Sequence, residues 1–175
     1  MIGLLRFVGV INAAVWLGAA CLSIFGIEPG ATSQDIRDLI GTRNFPYFSV
    51  AISQILSTRY FHLFLLCSVV AIFHVAAEWL YLGKYPKKLW IGLVFSLFLF
   101  GFIEAFWLQP NLKTWHHLRY AQKPTSSAAD RAFRAWNAVS KGANMLALCG
   151  LAIYLWRVTN PADPARFVSA TKFRS

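Results

Sequence analysis

The sequence predicts an all-α fold, an integral membrane four-helix bundle with an interfacial amphipathic segment between helices 1 and 2. Three observations predict it. The composition is 57% hydrophobic and 14% charged, against about 45–50% and about 25% in soluble domains. The apolar residues gather into four runs, at about 5–27, 60–82, 88–108 and 136–157, each near the ~20 residues a helix needs to cross a ~30 Å hydrocarbon core. No run alternates apolar and polar residues like a barrel strand, and lipid requires backbone groups to pair within each segment. The 175 residues leave room for one domain, 1–160, with a basic C-terminal arm at 161–175.

The first run opens on a single charge, Arg6, and its apolar stretch is longer than a signal-peptide core. Gly18 to Cys21 weakly suggests a lipoprotein site, but the leucine of that motif is missing. The run is therefore expected to be retained as a span. In the segment from Glu28 to Arg59, Thr32 or Ser33 is placed to cap a short helix through Asp35, Asp38 and Ile40. Pro46 then opens a stretch with Phe48, Ile52, Ile55 and Leu56 on one face, either a membrane-surface helix or the start of the second span. After the third span, Asn111 to Gln122 keeps helical composition until Pro124 breaks it, and Ser126 or Ser127 is placed to cap the fourth helix.

Four spans put both termini on the side of the short loop after the second helix. Lys and Arg divide evenly between the two sides, so they set no orientation, and only the compact group from Lys84 to Lys88 favours the short-loop side as cytoplasmic. The net charge of +10 is read as topology and contact with anionic lipid, not as nucleic-acid binding. Trp79, Tyr81, Tyr85 and Trp90 flank the short loop, and Trp107, Trp115, Tyr120 and Trp136 flank the third loop. That is the aromatic belt of a membrane interface.

Ionisable groups inside spans are costly and mark candidate functional positions. Arg6 and Glu78 lie at similar depth near the short loop, with His74 one turn before Glu78 on the same face, so depth allows an Arg6–Glu78 pair with His74 beside it. Glu104 and Lys141 match in depth toward the opposite side, placed either to form an intramembrane ion pair or for Lys141 to snorkel to the interface. Asn137, Ser140 and Asn144 share one face of the fourth helix by i, i+3 and i+7 spacing, a face expected to point into the bundle. The plain reading of these charges is helix–helix glue. The functional one is a solute or proton site.

His62 and His74 are the candidate cofactor ligands. They are separated by about 18 Å at ~1.5 Å per residue, so they cannot ligate one haem together. His116 or His117 reaches His62 only if the second helix ends near that level. Haem or chlorin is thus an option, and no cofactor the leading expectation. His74 and Glu78 are metal-capable at i, i+4 but lack converging partners. Cys21, Cys67 and Cys149 lie in spans without a CxxC pair, which argues against a disulfide framework. No nucleophile–base constellation, phosphate loop or zinc-protease motif is present, so an enzyme is not expected.

Several short segments carry a resemblance. They are Ala14-Val15-Trp16-Leu17-Gly18 after a leading Leu-Leu-Arg-Phe, Phe45-Pro46-Tyr47-Phe48, Gln109-Pro110, and Phe133 with Trp136-Asn137, Ser140 and Asn144. From about Leu4 to Arg157 the chain resembles the four-helix membrane family of unknown function that includes transmembrane protein 205. It departs from that family at Asn137, where a His is expected. The resemblance implies a four-helix membrane protein without established enzymatic activity. A link to metal or drug tolerance in one branch is not extended to this chain.

These readings give three expectations of function. The first is a non-enzymatic accessory or scaffold subunit of a larger membrane complex, with lipid and other membrane subunits as partners. The second is a haem- or pigment-binding electron-transfer subunit using His62 or His74. The third is a small-solute or ion transport component in which Glu104, Lys141 and Asn144 line a polar path. The expected location is multi-pass in a bacterial inner membrane.

Overall fold

The computed structural model describes residues 2–82, 88–121 and 127–160. All regular structure among them is helical. The first rod is α1 (Ile2–Cys21), a π-helical turn (Leu22–Ile27) and α2 (Glu28–Ala31). A short helix, α3 (Gln34–Ile40), precedes the second rod, α4 (Phe45–Leu82). The third rod is α5 (Lys88–Ile103), a second π-helical turn (Glu104–Leu108) and α6 (Gln109–Ala121), and the fourth is α7 (Ser127–Thr159). Four helices are long and apolar enough to cross a membrane, which fits a multi-pass membrane protein. The expected short-loop basic group at 84–87, the Ser126 and Ser127 caps and the arm at 161–175 lie outside the described residues and side chains.

The rods outrun the apolar runs. At ~1.5 Å per residue the 38 residues of α4 extend roughly twice the ~30 Å hydrocarbon thickness. The stretch opened by Pro46 is the start of this second rod and not a separate surface helix. Pro46 sits in the first turn, where its missing N–H leaves no helical hydrogen bond unmade. Between the rods, Ser33 caps α3 by accepting from the Ile36 amide at 3.4 Å. Gly41 closes the α3 turn at φ 83°, a left-handed conformation that favours glycine.

Each π-helical turn lies just ahead of a proline, the first before Pro29 and the second before Pro110. A proline inside a helix removes one backbone hydrogen bond and crowds the carbonyl four residues back. The wider turn relieves that crowding, so the third helix passes through Pro110 where the sequence reading ended the span.

α1 packs against α4 and α7, α5 against α4 and α7, and α6 against α4 and α7. Trp16, fully buried, meets Phe64 edge-on at 4.9 Å and Tyr154 at 5.7 Å, and Tyr154 stacks on Trp90 at 5.2 Å. The opposite faces are apolar and exposed, as with Phe7, Ile11 and Phe25 on the first rod and Leu66, Phe73, Leu146 and Ile153 on others. Such continuous apolar faces are foreign to a monomer in water and suit contact with lipid chains.

Candidate functional site: a polar cleft at one end of the bundle

At the α3 end the four rods enclose a cleft of about 200 Å³. Most of its lining residues are polar, and Val50, Phe61, Leu112 and Phe133 add apolar surface. α4 contributes Ser49, Ser53 and Ser57, spaced by one turn each and so presented on one face. α7 contributes Asn137, Ser140, Lys141 and Asn144, the first rod Ser23, Glu28 and Thr32, and the third Gln109 and Leu112.

Hydrogen bonds between helices shape the cleft. Tyr60 Oη donates to Asn144 Oδ1 at 2.9 Å, tying α4 to α7. Gln54 Nε2 donates to the Leu112 carbonyl at 3.2 Å, tying α4 to α6. Beside the deep end, Glu104 Oε2 accepts from Ser140 Oγ at 3.0 Å and from Gln109 Nε2 at 3.1 Å. Glu104 is 1% exposed, yet both of its donors line the cleft. At the shallow end, Lys141 Nζ lies 2.9 Å from Glu28 Oε2, and the two side chains are 51% and 28% exposed.

Both π-helical turns touch this region. Glu28 directly follows the first and Glu104 begins the second. A π turn changes the direction in which later side chains point, and such turns are frequent at functional sites.

Neither ion pair that depth allowed is formed among the described residues. Lys141 pairs with Glu28, and not with Glu104. Neighbouring residues on a helix point about 100° apart, so with Ser140 turned to Glu104, Lys141 is carried round to the first rod. Nor does Arg6 pair with Glu78: among the described residues the ion pairs are Arg119–Asp130 at 2.8 Å, Arg134–Asp130, and Lys141–Glu28. The face of α1 turned to α4 carries Gly9, Asn12 and Trp16, and Arg6 is exposed. Glu78 is half-buried. The face with Asn137, Ser140 and Asn144 does point inward, onto the cleft.

The two candidate cofactor histidines are held differently. His62 is exposed, with Nδ1 2.6 Å from the Thr58 carbonyl of its own helix. His74 is buried, its Nε2 is 3.0 Å from the Leu5 carbonyl, and its ring lies against Gly9. A Cβ on Gly9 would fall 2.4 Å from that nitrogen. His116 does not meet His62, because the second helix continues past that level. It stacks instead on Tyr47 at 5.0 Å, with Tyr120 and Phe133 around it. Among the described residues no three His, Cys, Asp or Glu converge as a metal site. Cys21, Cys67 and Cys149 are free thiols.

Reading the sequence missed Ser23, Glu28, Ser49, Ser53 and Ser57. The i, i+4, i+8 spacing of the three α4 serines was the available signal, hidden because that stretch read as a connector. Comparison with family models, with curated proteins and with solved structures gives no match to this chain.

Proposed function

We propose that this protein binds a small polar solute in the α3-end cleft and serves as a non-enzymatic solute-binding component of a membrane transport system. The observation that carries the proposal is the cleft of about 200 Å³ lined by serines, amides and one ion pair at the end of an apolar bundle. Part of this lining joins helices, and ionisable and polar groups gathered at the end of apolar spans are candidate functional positions.

The same reading makes the chain a multi-pass protein of a bacterial inner membrane, as helical spans suit that membrane and barrels the outer one. It lays α3 on the membrane surface, supported by Leu39 at 82% exposure. The apolar outer faces take lipid as their partner. The resemblance to the family that includes transmembrane protein 205 belongs to this proposal and adds no activity to it.

The test is equilibrium binding of labelled polar solutes to the purified protein and to Ser53→Trp, which fills the cleft. The proposal expects at least one solute to bind in a one-to-one ratio and to be lost in the variant. No binding, or binding unchanged in Ser53→Trp, would overturn it.

The accessory-subunit reading keeps one observation in its favour. Ala143, Ala147 and Gly150 of α7 line a shallow apolar groove against Leu93 and Leu97 of α5. Small residues at such spacing let a further membrane helix approach closely. Stoichiometric co-purification of a partner, lost in Ala147→Leu, is its test.

A further inference from the structure

The Glu28–Lys141 pair sits at the shallow end of the cleft, half open, with hydrogen-bonding capacity to spare. An ammonium has three donors and a carboxylate about four acceptor sites, while the structure joins the two groups through Nζ and Oε2 at 2.9 Å. We infer that the solute of this cleft is a small α-amino acid, bound as a zwitterion. Its carboxylate lies against Lys141 and its ammonium against Glu28. This rests on the reading of the cleft as a solute site.

The argument is one of charge balance. A simple anion recruited to Lys141 crowds the Glu28 carboxylate, and a simple cation recruited to Glu28 crowds Lys141. Like charges brought together oppose binding. A zwitterion avoids both penalties. Its two poles are about as far apart as the paired Nζ and Oε2, so it lies antiparallel to the pair. The four charges then alternate, and none loses its partner. Charge-assisted hydrogen bonds of this kind are roughly twice as strong as neutral ones.

Size and lining agree. A volume of about 200 Å³ holds about six or seven water-sized groups at ~30 Å³ each. That is room enough for glycine, alanine or serine. Ser49, Ser53 and Ser57 offer hydroxyls to a bound side chain, beside apolar surface from Phe61 and Phe133.

The experiment is equilibrium dialysis of labelled glycine and serine against the detergent-purified full chain, with acetate, methylammonium and glycerol as competitors. The inference expects glycine and serine to bind in a one-to-one ratio and each competitor to be weaker by about tenfold or more, the equivalent of one charge-assisted contact. Lys141→Gln and Glu28→Gln each weaken glycine by about tenfold. Acetate, methylammonium or glycerol binding as well as glycine overturns the zwitterion while leaving the cleft a solute site. No binding by any of the five probes overturns both. The competition series uses the unaltered protein, so it decides the matter even if a variant fails to fold.

Discussion

Ser140 of α7 donates its hydroxyl hydrogen to Glu104 Oε2 at 3.0 Å, across the interface between the fourth helix and the π-helical turn of the third. Depth along the helices suggested Lys141 for that role, but the neighbouring residue takes it. The exchange separates two tasks. Glu104, with Ser140 and Gln109, holds the helices beside the deep end of the cleft. Lys141 is left free to meet Glu28 at the shallow end.

The first prediction concerns that buried carboxylate. Ser140→Ala removes one of its two described donors and is expected to destabilise the protein by about 1–3 kcal/mol, the range for a buried hydrogen bond to a carboxylate. Thermal unfolding in detergent measures it. An unchanged midpoint would show that the contact contributes little.

The ion pair at the shallow end behaves differently. It is half exposed, and such pairs contribute about 0–1 kcal/mol. Lys141→Gln is therefore expected to unfold within about 1 kcal/mol of the parent while binding glycine about tenfold more weakly. A large stability loss would make Lys141 a structural residue and remove the basis for its role in recognition.

Close packing in the core supplies a third prediction. A Cβ on Gly101 would lie 2.7 Å from Phe64 Cδ1, so Gly101→Ala is expected to cost about 1–3 kcal/mol through overpacking. Gly18 has nothing within 4 Å of its Cβ position, so Gly18→Ala is expected to be neutral or to stabilise by about 0.5–1 kcal/mol through helix propensity. Parallel thermal melts compare the two, and equal effects would contradict the packing described.

His74 provides a fourth. Gly9→Ala is expected to destabilise by about 1–3 kcal/mol because the new methyl meets the His74 ring. In a His74→Ala background the same change is expected to cost much less, a coupling that a double-mutant cycle measures. An absorption spectrum of the same preparations tests the alternative role. The solute-binding account expects no haem or chlorin band, whereas a band lost in His62→Ala or His74→Ala would favour the electron-transfer reading.

Much of the architecture was legible in the sequence because a membrane helix needs a long apolar run, and four such runs stand out. The inward face of Asn137, Ser140 and Asn144 was legible from helical spacing alone. What was hidden depended on rotation about the helix axis and on distant packing. Counting residues gives the depth of Glu104 and Lys141 but not their direction, so their pairing was misassigned. The same limit holds for Arg6, whose depth matches Glu78 but which is exposed and forms no ion pair with it among the described residues. Glu28 and the α4 serines were overlooked because they lie beyond the apolar runs, in a stretch read as a connector. The π-helical turns left a trace in Pro29 and Pro110, but a proline in a sequence more often ends a helix than widens one.

The most direct test of the central claim is solute binding to the intact cleft and to the filled one. Labelled glycine and glycerol are equilibrated with the detergent-purified protein and with Ser53→Trp, after thermal melts establish that both are folded. The account predicts one-to-one binding of glycine to the parent and none to the variant. Folded protein that binds neither solute, or a Ser53→Trp variant that binds as the parent does, would contradict it.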